Sequence, residues 1–159
     1  MKRILTYGTF DLLHWGHIRL LQRAKALGDY LIVAASTDEF VVDVKGARAP
    51  YHNLETRRDM LRAVRHVDLV IEETSWEQKV DDIHQYHVDT VVMGSDWQNS
   101  KRFEYLRNYC ELMYLPRTEG VSTRKIRRDL LIQDTTPVQE EREEPYVVTR
   151  RMSALPPGS

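Results

Sequence analysis

Cysteine occurs once in the 159 residues, at Cys110, which excludes an internal disulfide framework and suits a reducing compartment. No apolar stretch approaches the roughly 20 residues that a membrane-spanning helix needs. Neither charge is in excess: 23 Lys and Arg face 24 Asp and Glu, for a formal net charge of −1, so no global basic field points to nucleic acid. The opening residues, MKRILTYGTFD, run directly into a strand pattern and carry no signal-peptide core. What is left, at 42% apolar and 30% charged residues, is a soluble cytoplasmic protein long enough for one domain with a real core.

What is present is an alternation. The segments RILTY (3–7), YLIVAAS (30–36), VDLVI (67–71), TVVMG (90–94) and ELMYL (111–115) are apolar throughout, as strands of a parallel sheet covered on both faces must be. Helix-period segments separate them: Trp15–Leu27 with Gly28 as its stop, Glu55–Val64, Trp76–Tyr86 and Phe103–Tyr109, with a last helix starting near Ser122. Five strands alternating with helices predict an α/β fold, a Rossmann-like doubly wound five-stranded parallel sheet. Ligands of such sheets bind at the carboxyl ends of the strands, near the switch point, which puts 8–17, 36–51, 94–97 and 117–123 on one rim. A single domain over 1–131 is expected, followed by a polar, flexible tail over 132–159. Residues 134–144 hold five acids against one arginine, whereas 117–128 hold five bases against one acid.

The stretch GTFDLLHWGH (8–17) sets two histidines three residues apart where a strand hands over to a helix. Gly8 permits a tight turn and close backbone approach. The first N–H groups of the helix are unpaired and sit at the positive end of its dipole, which makes an anion site. His14 and His17, one turn apart, add ring N–H donors to it. A satisfied polar pair and a metal site are the competing readings; the second has only Asp11 as a local third ligand and no nearby cysteine. The conjunction of strand, glycine, paired histidines and helix favours phosphate. His52, His66, His84 and His87 have no such context. Arg57, basic at a helix start, is electrostatically unfavourable unless an anion or acid lies close.

GTFDLLHWGH has the form of the GTFDxxHxGH signature of the cytidylyltransferase branch of the nucleotidyltransferase superfamily, and RTEGVSTRKI (117–126) resembles its second signature, RTEGISTT. Together with ISTDEF-, WEQK- and VMGDDW-like segments, the likeness spans nearly all of 1–131. It is greatest to the bacterial glycerol-3-phosphate cytidylyltransferases. The resemblance implies transfer of CMP from CTP to sn-glycerol 3-phosphate, releasing pyrophosphate and giving CDP-glycerol for teichoic-acid-type polymers. It further implies a cytoplasmic homodimer with Mg²⁺ carried mainly on the CTP phosphates, and no nucleic-acid or membrane partner.

Residue by residue, the resemblance assigns catalysis to His14, His17, Arg117, Ser122 and Thr123. Nucleotide contacts fall to Gly8, Thr9, Phe10, Arg65, Asp96, Thr118, Glu119 and Gly120 as well. Acceptor contacts fall to Lys45, Trp76 and Lys79. Several of these have plain structural readings beside them: Ser122 as an N-cap, Arg65 as a cation at a helix C-terminus, Trp76 as a helix-start anchor and Asp96 as a cap. Ser95 stands where the family usually has an acid, and the loop at 41–52 differs in pattern from the lysine-rich one of relatives. Other acceptors (ethanolamine or choline phosphate, a sugar phosphate, FMN) or ATP would change the substrates within the same fold. A non-catalytic nucleotide-binding module and zinc bound by the two histidines are the readings from other classes.

Overall fold

The computed structural model describes residues 1–131; the tail expected over 132–159 lies outside the described residues. Five strands, β1 (Arg3–Gly8), β2 (Tyr30–Ser36), β3 (Leu69–Glu73), β4 (Thr90–Gly94) and β5 (Glu111–Leu115), form one sheet in the order β3-β2-β1-β4-β5. Every pairing is parallel, with Leu5 opposite Ile32 on one side and Val91 on the other. Among the described residues four α-helices accompany them: α1 (Trp15–Lys25), α2 (Leu54–Arg62), α3 (Lys79–Gln85) and α4 (Thr123–Leu130).

The all-apolar strands fold this way because alternate side chains feed two separate cores. Ile4, Leu31, Val33, Ala35 and Val92 pack with Leu21 and Ala24 of α1 and Leu61 of α2. Leu5, Ile32, Ala34, Val91 and Met93 pack on the other face with Ile83 of α3 and with Phe103 and Leu106. Each fully buried Leu or Ile contributes about 1.5–3 kcal/mol through lost contact with water. The chain winds outward in both directions from β1, so the loops after β1 and β4 diverge and open a crevice between them.

Five stretches differ from the sequence expectation, and for two of them the side chain responsible is visible. The helix expected from Trp76 begins at Lys79, because Gln78 Oε1 accepts the backbone N–H groups of Thr74 and Ser75 and holds a turn there. The segment expected as a helix over Phe103–Tyr109 is a 3₁₀ stretch, Glu104–Asn108. A second 3₁₀ stretch, Ser95–Ser100, follows β4, and a short π-helical turn, Phe40–Val44, begins the segment expected as a loop. The third strand starts two residues later than its apolar pattern, since the Asp68 carboxylate caps the Leu31 amide at 2.7 Å.

Gly28 does not end α1 by a left-handed turn; the helix stops at Lys25 with Ala26 as its cap. Its role is steric. The Lys2 carbonyl accepts the amides of Asp29 (2.8 Å) and Tyr30 (3.1 Å), and a Cβ at Gly28 would lie 2.7 Å from that oxygen and 2.8 Å from Ile4 Cγ1. Backbone cannot yield as a side chain can. Gly28→Ala is therefore expected to cost about 1–3 kcal/mol, read as a lower urea midpoint at unchanged slope; an unaltered midpoint would refute the steric assignment.

Candidate active site

The crevice at the carboxyl ends of β1, β4 and β5 is a cleft of about 710 Å³, within the usual range for small-molecule sites. Gly8, Thr9, Phe10, His14 and His17 line it from the turn after β1. That turn is strained: Phe10 (φ +52°) and Leu12 (φ +49°) both occupy the left-handed region without being glycine. Gly8 makes room for the buried Phe10 ring, which a Cβ there would meet at 2.9 Å. The ring in turn stands edge-on to His17, with centroids 5.4 Å apart.

His14 is the N-cap of α1 and His17 is its third residue, and each caps the other. The His17 amide donates to His14 Nδ1 at 3.4 Å, and the His14 amide donates to His17 Nδ1 at 3.3 Å. This is a capping box built from two imidazoles in place of Ser and Glu. The rings stack at 3.7 Å. Because both Nδ1 atoms accept, each neutral ring carries its proton on Nε2, which is left as the free donor. Burial, then the neighbouring Arg117 guanidinium, holds the His14 pKa below the ordinary value. For His17, burial, His14 and Arg117 together bring it to about 3. The cleft thus presents two neutral donors rather than two cations.

The second signature arrives from the opposite side. Ser122 caps α4 by accepting the Lys125 amide at 3.0 Å, and Thr123 Oγ1 donates to the Asp11 carbonyl at 2.9 Å. Asp11, 4% exposed, accepts the amides of Tyr51 (2.7 Å) and His52 (3.0 Å) and the Arg127 guanidinium (2.6 Å). Burial alone would raise its pKa, but these amides and Arg127 outweigh it and hold the carboxyl below the ordinary range. One carboxylate thereby ties α4, the 49–52 segment and the histidine turn together. Gly120 turns the chain into α4 at φ +80°.

Arg117 and Asp96 meet across the ends of β5 and β4 in a bidentate pair, Nε at 3.0 Å and Nη2 at 2.6 Å. This contact, more than any other, lowers the Asp96 pKa. Thr118, Thr123 and Lys45 also line the cleft. Other expected site residues do not. Arg65 is exposed in the turn before β3, at the opposite rim, because α2 runs back to the amino edge of the sheet. Glu119 and Gly120 form the exposed turn ahead of α4. Ser122 reaches the rim as its helix cap. Lys79 is fully buried, and Trp76 packs among Phe40, Trp97 and Phe103.

Gly16, Arg127 and Glu73 carry no assignment from the sequence, and Arg57 is marked there only as a base in need of a nearby acid. Gly16 lies beneath the His14 ring, where a Cβ would sit 2.9 Å from His14 Cε1 and 3.2 Å from Val121 Cγ1; its spacing between the histidines was the available signal. Arg57 is fully buried and donates to the carbonyls of Thr9, Ser36 and His52 and to Asp38, the acid its helix-start position called for. Arg127 and Glu73 carried no local signal, since Asp11 lies 116 positions from Arg127 and Ser36 lies 37 positions from Glu73.

Residues 5–141 match the cytidylyltransferase-like family. The chain is 54% identical over 130 residues to glycerol-3-phosphate cytidylyltransferase of Bacillus subtilis (strain 168), covering 82% of this chain and 98% of that protein. It is 53% identical over 134 residues to the Staphylococcus aureus (strain NCTC 8325 / PS 47) protein described likewise, covering 84% and 98%. Among solved structures, the lipopolysaccharide core biosynthesis protein from Thermoplasma volcanium GSS1 has the same fold at a TM-score of 0.62, with 22% identity over 75% of this chain and 99% of that one.

Two outcomes follow from the histidine pair. With His17 neutral down to about pH 3 when folded and about 6.5 when unfolded, the unfolded chain binds the extra proton. Stability is complete above pH 6.5 and declines as pH falls, by on the order of 1 kcal/mol between pH 7.5 and 5.5. His17→Gln, which keeps the reciprocal cap, should flatten urea-derived stability over that window. An identical slope in the variant would contradict the assignment. Gly16→Ala should leave stability within about 1 kcal/mol of the wild type, the better helix propensity of Ala offsetting the disturbed His14 cap. By displacing the His14 ring it should still weaken pyrophosphate binding about tenfold in calorimetry, and unchanged binding would show that the ring does not need that gap.

Proposed function

The chain belongs to the cytidylyltransferase-like family, and from that premise we propose that it is a glycerol-3-phosphate cytidylyltransferase. It would transfer CMP from CTP to sn-glycerol 3-phosphate, giving CDP-glycerol and pyrophosphate. The observation that carries the chemistry is the reciprocal histidine cap, which leaves an Nε2–H on each of two stacked rings in the wall of the cleft. Similarity over 98% of the B. subtilis protein supports the choice of substrates.

The reaction asks little covalent work of the protein. The acceptor phosphate, with its second pKa near 6, is already a dianion at neutral pH, so no general base is required. Its oxygen attacks the α-phosphorus of CTP; the new P–O bond forms as the bond to the β-phosphate oxygen breaks, and pyrophosphate leaves with the electron pair. The charge that develops on the α-phosphate oxygens meets donors already oriented toward it, the Nε2–H groups of His14 and His17. The β- and γ-phosphates fit the N-terminus of α4, where Ser122 retains its hydroxyl proton and the first amides are unpaired. Arg117, steadied by Asp96, adds a cation on that side. Asp96 and the backbone of Thr9 and Phe10 are left for the nucleoside.

A divalent cation, expected as Mg²⁺, would be held by the nucleotide phosphates and there neutralise their charge. Among the described residues no cluster of His, Cys, Asp and Glu could hold a metal. Asp11, which lines the cleft, has its oxygens committed to Tyr51, His52 and Arg127. A homodimer in the cytoplasm completes this reading; Trp15, 57% exposed at the start of α1, is a side chain that such an interface would cover. None of the described helices is long and apolar enough to cross a membrane.

The test is pyrophosphate release with CTP and with ATP across glycerol 3-phosphate, ethanolamine phosphate, choline phosphate, sugar phosphates and FMN. CTP with glycerol 3-phosphate should be fastest; faster turnover with ATP, or with another acceptor, would replace the substrates proposed. His17→Ala should lower kcat by about 10²–10³ while CTP affinity changes far less. A matching loss of affinity would assign the histidine to binding alone.

A further inference from the structure

Beside the cleft, at the ends of β2 and β3, lies a charged group that the chemistry above leaves unused. Glu73, the last residue of β3, is 1% exposed. Its Oε2 accepts Lys79 Nζ at 2.6 Å. Its Oε1 accepts the Ser36 hydroxyl at 2.7 Å and lies 3.1 Å from Lys45 Nζ. Lys45 Nζ also donates to Ser36 Oγ at 2.7 Å. The carboxylate is thus shared by two ammonium groups, while the buried Asp82 carboxylate also acts on Lys79.

The two lysines differ in what they can reach. Lys79 is enclosed: its Nζ lies 4.0 Å from the Tyr7 ring centroid, 5.1 Å from Trp76 and 5.3 Å from Phe103, and the residue has no exposed surface. Three ring faces and Glu73 compensate its burial, leaving no room for a ligand. Lys45, whose side chain is 16% exposed, lines the cleft. A buried ion pair is weak as a stabiliser, and apolar residues of similar volume usually do as well. What this one supplies is a fixed place for the Lys45 ammonium.

We propose that Glu73 is a positioning residue: with Lys79 as its enclosed counter-ion, it anchors the Lys45 ammonium at the cleft wall to receive the phosphate of the acceptor. The identity of that phosphate rests on the function proposed above; the anchoring does not. In-line displacement requires the nucleophile and the leaving pyrophosphate on opposite sides of the α-phosphorus. Arg117 and the α4 N-terminus serve the leaving side, and Lys45 comes from the other half of the sheet, after β2. This arrangement makes Lys45, rather than the enclosed Lys79, the acceptor contact.

The test pairs chemical labelling with a mutant cycle. Glu73→Gln with Lys79→Met removes the Glu73–Lys79 pair together and avoids leaving Lys79 without its nearest acid; Asp82 keeps its Tyr7 and Gln78 donors. In that variant Lys45 should be acetylated by an N-hydroxysuccinimide ester about tenfold faster than in the wild type, followed by peptide mass spectrometry. KM for glycerol 3-phosphate should rise about tenfold, with KM for CTP within about twofold. Lys45→Ala should give the same split, and adding the double change to it should do nothing more. Unchanged labelling of Lys45, losses that multiply in the triple variant, or losses that fall equally on CTP would overturn the proposal. If the double variant does not fold, Glu73→Asp, which keeps the charge but shortens the reach, should show the same preference for glycerol 3-phosphate over CTP. Should the wild type form no CDP-glycerol, the functional reading fails, and the labelling rates, which need no turnover, still decide whether Glu73 holds Lys45.

Discussion

The cleft depends on one carboxylate. Asp11 is nearly enclosed and accepts two backbone amides and a guanidinium, while its own carbonyl accepts the Thr123 hydroxyl. Three segments with no sheet contact to one another, the histidine turn, the 49–52 segment and α4, are thereby fixed to a single residue. Among the described residues α4 has no buried side chain of its own, so apolar packing contributes little to holding it there. Its docking is polar, through Thr123 and Arg127, and without that docking the second anion site would not face the first.

A similar logic recurs under the neighbouring loops. Arg57 spends its donors on the carbonyls of Thr9, Ser36 and His52 and on Asp38, joining the ends of β1 and β2 to the start of α2. Loops at a strand-end rim carry backbone groups that the sheet cannot pair. Here fully buried long side chains satisfy them. The rim is consequently a cross-linked layer set upon an ordinary apolar core, and polar bonds rather than packing give it its shape.

That division explains what could be read in advance. The five strands were legible because burial on both faces forces unbroken apolar runs, and the right fold class followed from their alternation with helices. Ser122 was legible as a cap because capping is local. The convergence of the two signatures on one cleft was legible from the rule that ligands gather where strands end. Trp76 misled as a helix start because the Gln78 side chain captured the local amides. Lys79 and Arg65 show the limit of a motif: it names a residue type at a position without saying whether the side chain is enclosed or at which rim it lies. Arg127 and Glu73 answer to partners 116 and 37 positions away, and no periodicity encodes such pairings.

The reciprocal imidazole cap also constrains how this site can change over generations. Serine or aspartate in place of His14 would be a stronger start for α1, so selection for a sturdier fold alone would drift toward replacing it. Each such drift would remove one ring donor from the cleft and free the tautomer of the other. At this position thermodynamic robustness and chemical competence pull apart, and the second histidine is kept honest only by the first.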